Sequence, residues 1–174
     1  MIETERLRLR PRQVEDREPF WAMSCDDEVM RYLPALTRLQ SDALVDRMAA
    51  IEAEHGHCFW ALERKAERDF IGFCGILPPS APIFEHVIGW RLASHAWGQG
   101  YAREAPETSL HWAWANLTEA PAIMAITTQA NARSWGLMRR LGMTHQPVED
   151  FDHPQMPEGD PLRPHILYRV HRPA

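Results

Sequence analysis

Trp97-Gly98-Gln99-Gly100-Tyr101-Ala102-Arg103-Glu104-Ala105 is the stretch whose reading decides the fold. An apolar run, Val87-Ile88-Gly89-Trp90-Arg91-Leu92, leads into it, and a segment with helical periodicity leads out. Strand, glycine turn and helix in that order aim backbone N–H groups at an anion. The first N–H groups of a helix have no partner within it, and the macrodipole adds partial positive charge there. Glycines lack a Cβ, so the backbone can come close to a phosphate. Gly98 to Ala102 therefore reads as a pyrophosphate cradle; an ordinary strand-to-helix turn is the bland alternative.

Two phosphate loops fail on the residues. A Walker loop needs a lysine after its second glycine, and none follows. A dinucleotide fingerprint needs a third glycine where Arg103 stands. Its acidic ribose contact, about twenty residues on, would be Glu119, which precedes the next apolar strand instead of ending it. Trp97-x-x-Gly100-x-Ala102 resembles the coenzyme A loop of the GNAT acetyltransferases, R/Q-x-x-G-x-G/A, with tryptophan at the first position. The full string closely resembles the branch holding the ribosomal-protein N-terminal alanine and serine acetyltransferases. Thr4-Glu5-Arg6-Leu7-Arg8-Leu9-Arg10-Pro11 and Asp26 to Leu33 resemble the same branch, in which the latter segment packs beside the acceptor.

A second string carries its own start and stop. Asn131 is a plausible N-cap of the helix in Ala132-Arg133-Ser134-Trp135-Gly136-Leu137-Met138-Arg139-Arg140-Leu141, and Gly142 a plausible C′ residue after two arginines. Ser134, Leu137, Met138 and Leu141 share a face, as in any amphipathic core helix. The string also resembles the second GNAT motif, N-x-x-S/A-x-x-h-h-x-x-x-G-F. Both motifs follow an apolar strand, here Val87–Leu92 and Ala122–Thr128, in the family's order.

Bulk properties set the frame. With 174 residues the chain suits one domain, 1–174, with a core large enough to need neither disulfide nor metal. A formal net charge of -5 argues against a nucleic-acid surface. Cys25, Cys58 and Cys74 lack metal-ligand spacing and read as reduced, mostly buried thiols of a cytoplasmic protein. The opening residues do not resemble a signal peptide, and no apolar run approaches a membrane span.

Elsewhere, alternation predicts a strand over Thr4–Arg10, and periodicity predicts helices over Val14–Cys25 and Ser41–His55. The second of these is capped by Gln40 or Ser41, lined by Leu44, Met48 and Ile51, and followed by Gly56. Cys58–Glu63 and Phe70–Leu77 read as an antiparallel pair; Pro78, Pro79 and Pro82 interrupt the chain after it. Leu110, Ala113, Trp114 and Leu117 share one helix face, and Pro106 should kink or delay that helix. Residues 146–163, with Pro147, Pro154, Pro157 and Pro161, read as a long loop, functional or mobile, before a strand at Ile166–Val170.

The resemblance implies a GNAT acyl-CoA N-acyltransferase fold: α/β, a mixed twisted sheet with helices on both faces, splayed where a thioester enters. It implies acetyl-CoA as co-substrate and direct transfer of acetyl to an amine acceptor, either a protein N-terminus or a small molecule. Trp97, Gly98, Gln99, Gly100, Tyr101 and Ala102 would hold the cofactor, with Asn131 near its pantetheine arm. Arg91 and Leu92 would also bind the cofactor, and backbone N–H groups of the opened strand near Trp90 to Leu92 would serve the thioester oxygen. Met138 stands where many family members have a tyrosine, so Ser134, also near the cofactor, is the candidate donor to the departing thiolate. Glu85 and His86, on the strand before the loop, are candidate bases, and only one of two strand neighbours can face the site. Asp152, His153 and His165 are further candidates. Arg103, Arg133 and Arg139 are possible partners of the 3′-phosphate. The histidines show no metal-binding spacing, so no metal is expected. No nucleic-acid or membrane partner is expected, and the protein is read as a monomer or homodimer. A non-catalytic acyl-CoA-binding module is the rival from another class, since Met138 cannot supply a proton.

Overall fold

The computed structural model describes every residue except Pro82, Gln155 and Ala174, so the break expected at Pro82 lies outside the described residues. In chain order the strands are β1 (Ile2–Glu3), β2 (Leu7–Arg10), β3 (Phe59–Arg64), β4 (Phe70–Leu77), β5 (His86–Leu92), β6 (Ala122–Thr128), β7 (Thr144–His145), β8 (Phe151–Asp152) and β9 (Pro164–His171). The helices are α1 (Arg17–Ser24), α2 (Asp27–Met30), α3 (Arg38–His55), α4 (Tyr101–Asn116) and α5 (Ala132–Arg140). The sheet runs β1-β2-β3-β4-β5-β6-β9-β7, with β8 added to β9. Every pairing is antiparallel except β5 with β6. This is the mixed α/β architecture the sequence implies.

Alternation explains the first strands. Leu7 and Leu9 are fully buried, while Arg8 and Arg10 turn to the other face and meet Glu63 of β3 at 3.2 and 2.7 Å. β4 is central and apolar almost throughout, as a strand covered on both faces must be. One face of the sheet carries α1 and α3, with Phe20, Val45, Met48, Ala61 and Phe73 in its core. The other carries α4 and α5, with Leu92, Ala105, Leu110, Ala113 and Met138.

Four local expectations need correction. α3 begins at Arg38, because Thr37 and Gln40 form a reciprocal capping box ahead of the residues read as its start. α4 runs unbroken from Tyr101 through Pro106, which is fully buried; the proline removes the donor to the Ala102 carbonyl without delaying the helix. Residues 146–163 are partly regular, since Pro147–Glu149 form a short 3-10 turn and β8 pairs with β9. Cys25 is exposed, unlike Cys58 and Cys74.

Candidate active site

β5 and β6 pair only at His86–Ile123 and Val87–Met124. Beyond that the two parallel strands part, and a cleft of about 790 Å³ opens between them. The Ala93 N–H donates to Ile71 O at 2.9 Å, which fixes the phase of the β4–β5 ladder. Alternate N–H groups on an antiparallel strand face the same neighbour, so those of Gly89 and Arg91 serve β4 while those of Trp90 and Leu92 face the gap.

The glycine loop closes one end of the cleft. A 3-10 turn at Ser94–Ala96 follows β5, and the Trp97 indole N–H donates to Leu92 O at 2.9 Å, folding the loop back onto the strand. Gly98 and Gly100 have φ of 73° and 89°, a left-handed backbone that a side chain would strain. Gly100 caps α4, and its carbonyl accepts from the Arg103 and Glu104 N–H groups at 3.0 and 3.1 Å. The N–H groups of Gly98 through Ala102 find no acceptor among the described residues. They form a nest of donors at a helix N-terminus, which fits a pyrophosphate.

Beneath the loop lies a clamp. Arg6 donates to Gln99 O at 2.8 Å through Nη1 and to Glu104 at 2.8 Å through Nε, and its guanidinium lies 4.6 Å from the Tyr101 ring centroid. The Thr4 hydroxyl also donates to Glu104. Of the loop residues, Trp97, Gly98 and Ala102 line the cleft. Gln99 points to His95 O, and the Tyr101 ring is buried in the core.

Across the gap, the Asn131 side chain accepts from the Ser134 N–H at 3.3 Å and starts α5. Ser134 lines the cleft, and its hydroxyl makes no hydrogen bond among the described residues. Met138 lies deeper on the same helix face and is buried. The Arg133 guanidinium stacks 4.8 Å from the Trp97 ring centroid, bridging α5 and the loop. The third wall is Glu28, Val29, Arg31, Tyr32 and Leu33, from α2 and the turn after it. Asp26 fixes this wall by accepting from the Ser94 hydroxyl at 2.5 Å.

Residues 6–144 match the family model described as an acetyltransferase (GNAT) domain. This chain belongs to the GNAT acetyltransferase family. An uncharacterized Bacillus subtilis protein, YkkB, is 29% identical over 145 residues, covering 80% of this chain and 83% of its own. A GNAT-family acetyltransferase from Bacillus anthracis shares the fold with a TM-score of 0.80 at 21% identity, covering 98% of both chains. The ribosomal-protein-S5-alanine acetyltransferase of Vibrio fischeri does so with a TM-score of 0.73 at 18% identity, covering 98% of this chain and 95% of its own.

As a GNAT acetyltransferase, the protein is an N-acetyltransferase with acetyl-CoA as donor, and the free donors of the glycine loop suit that co-substrate. The structure gathers Trp97, Gly98, Ala102, Asn131 and Ser134 around one cleft with the β5 segment Arg91–Leu92. Glu85 and His86 lie elsewhere. They border a separate concavity beside Asn116–Ala122, at the opposite end of β5 from the loop. Glu85 accepts from Arg169 at 2.9 and 2.7 Å, and Arg169 is shared with Glu149. Burial, and secondarily His57, holds the His86 imidazole below its ordinary pKa. Asp152 pairs with Arg163 at 3.1 Å, and the His153 and His165 rings lie 4.8 Å apart on the β8–β9 hairpin; none of the three lines the cleft. Of the arginines considered for the 3′-phosphate, Arg133 lines it, while Arg103 pairs with Glu107 at 2.7 Å on the solvent face and Arg139 lies outside; Arg31, Arg91 and Arg140 line it as well. The residues sequence reasoning missed are Glu28, whose segment only the resemblance placed here, and Arg6. Nothing in sequence spacing links Arg6 to Glu104.

Proposed function

We propose that the protein transfers acetyl from acetyl-CoA directly to a primary amine held in the cleft between β5 and β6, working as one cytoplasmic domain. The observation that carries this reading is the row of unpartnered N–H groups at Gly98–Ala102 opening on the same cleft as the free Ser134 hydroxyl. Bound acetyl-CoA supplies the thioester. The loop donors hold its pyrophosphate, and the outward N–H groups of Trp90 and Leu92 stabilise the oxygen that gains charge during transfer. Ser134 donates a hydrogen bond or proton to the departing sulfur. Glu28, which lines the cleft and accepts from Arg31 through one carboxylate oxygen, replaces Glu85 and His86 as the candidate base and accepts the proton of the incoming ammonium.

The loop string resembles enzymes that act on protein N-termini, and that supports an α-amino acceptor. The likeness to the ribosomal-protein enzyme, at 18% identity, is one of fold and does not name the acceptor. A small-molecule amine is the second reading, favoured by an unpaired guanidinium at Arg91 in the cleft wall. The test is release of free thiol from acetyl-CoA with N-terminal peptides and small amines offered in parallel. Release with an amine supports transfer. Acetyl-CoA binding without release for any amine would favour the non-catalytic module.

A further inference from the structure

Arg91 faces Phe73 across the β4–β5 register, so its side chain emerges on the sheet face covered by α1 and α3. There Phe20 stacks on Phe73, with ring centroids 5.9 Å apart. The Arg91 guanidinium carbon lies 5.3 Å from the Phe73 centroid and 5.9 Å from that of Phe20. Arg12, from the segment after β2, brings a second guanidinium to the same rings, at 5.4 and 5.5 Å.

Neither cation has a carboxylate partner. The Arg91 side chain makes no hydrogen bond or ion pair among the described residues, and the one side-chain bond of Arg12 goes to Met48 Sδ at 3.0 Å. Nε and Nη1 of both residues are buried and unpartnered. Arg10, two residues from Arg12, shows the contrast: it is bonded to both Asp16 and Glu63. Burial pulls the Arg12 guanidinium down to about 10, and burial together with the charge of Arg12 does the same to Arg91. A ring face returns only part of the hydration an arginine loses on burial, and two like charges on one pair of rings add repulsion. An anion at the cleft end of Arg91 would offset part of both penalties, directly for Arg91 and through space for Arg12, which lies behind it. Arg91 itself lines the cleft, one residue along β5 from the outward N–H groups of Trp90 and Leu92, and Glu28 lines it from α2.

We propose that Arg91, backed by Arg12, binds a carboxylate of the acceptor, so that the acceptor is a small amine that also carries a carboxylate, such as an amino acid. This rests on acetyl transfer occurring in the cleft. With Nε and Nη1 buried, Nη2 is the Arg91 nitrogen left to donate to a carboxylate from the cleft, and Glu28, which also accepts from Arg31, is the acid of the cleft lining that suits the ammonium of the same molecule. A bare amine or polyamine would leave both arginines unpaired.

Thiol release from acetyl-CoA is measured with matched acceptors: glycine against glycinamide, β-alanine against β-alaninamide, and L-phenylalanine against its amide. The amides have the less basic, more available amines, so nucleophile chemistry alone favours them. We expect the carboxylates to be preferred at least tenfold in kcat/KM, mostly through KM, and Arg91→Gln to bring the ratio toward one. Equal use of both members, or a preference for the amides, overturns the proposal with the unmutated protein alone, whatever the folding of the variant. A binding measurement separates this from failure of the transfer reading. N-acetylglycine and N-acetylglycinamide, product-like probes that need no turnover, are compared by thermal shift. A rise with N-acetylglycine alone, lost in Arg91→Gln and reduced in Arg12→Gln, supports the carboxylate site even if no acceptor turns over. Equal shifts, or none with the carboxylate, sink it.

Discussion

At Gly100 an added Cβ would come within 3.2 Å of Arg6 Nη2, on a backbone whose φ of 89° already disfavours a side chain. Gly100→Ala is therefore expected to lower stability by about 1–2 kcal/mol in urea titration and to weaken acetyl-CoA binding by calorimetry, because the strain falls on the loop that presents the donors. Ser134 poses a different question. Its N–H is taken by Asn131, but its hydroxyl is free to serve chemistry. Ser134→Ala is expected to lower kcat by about 10²-fold or more, the usual worth of a positioned acid, while acetyl-CoA affinity stays close to that of the parent. A kcat that does not move would return Ser134 to a packing role. Residue-level chemistry was legible where it is local: Asn131 as a cap, Gly142 with φ of 79° past α5, and Gly56 with φ of 75° past α3 each act within about one helical turn.

Among the elements, α3 owes its start to Thr37 and Gln40. Thr37→Ala is expected to cost about 1 kcal/mol by chemical denaturation and to leave turnover unchanged, since the cap is not in the cleft wall. The clamp between β2 and α4 behaves oppositely. Arg6 is exposed, so its ion pair with Glu104 adds little to global stability. What it fixes is the Gln99 carbonyl and thereby the aim of the loop donors. Arg6→Met should raise the Kd for acetyl-CoA severalfold with little change in the unfolding midpoint; a large loss of stability with unchanged affinity would contradict a positioning role. The two strings that resemble the family were both readable, yet their contact across the cleft, Arg133 on Trp97, was not. Helix periodicity and caps record neighbours in sequence, whereas Arg6–Glu104 and Arg169–Glu85 join residues brought together only by the sheet order. Pro106 misled for the complementary reason: its missing hydrogen bond is a local penalty, outweighed by the complete burial of its ring.

For the molecule as a whole, the fold was legible because strand-loop-helix occurs twice in a fixed order. The burial of cations was not, because arginine patterns on a strand read as a solvated face. Buried histidines set a pH dependence. His57 is buried with Nδ1 2.8 Å from Ile76 O, and burial holds it below its ordinary pKa; His86 and His153 are shifted the same way by burial. The unfolded chain therefore binds more protons below about 6.5, so stability is full above that pH and falls as the pH drops below it. Glu63 and Asp69, held low chiefly by hydrogen bonds from Arg10 and Arg64, keep their charges in this window. The urea midpoint should fall from pH ~7.5 to ~5.5, and His57→Gln should flatten the slope. The short contact between β5 and β6 also sets how fast individual protons leave the protein. Gly89 and Arg91 give their amides to β4, while those of Trp90 and Leu92 look into the gap. Deuterium should enter this single strand at every second residue, fast and slow in alternation, and acetyl-CoA should erase the alternation by slowing the fast half.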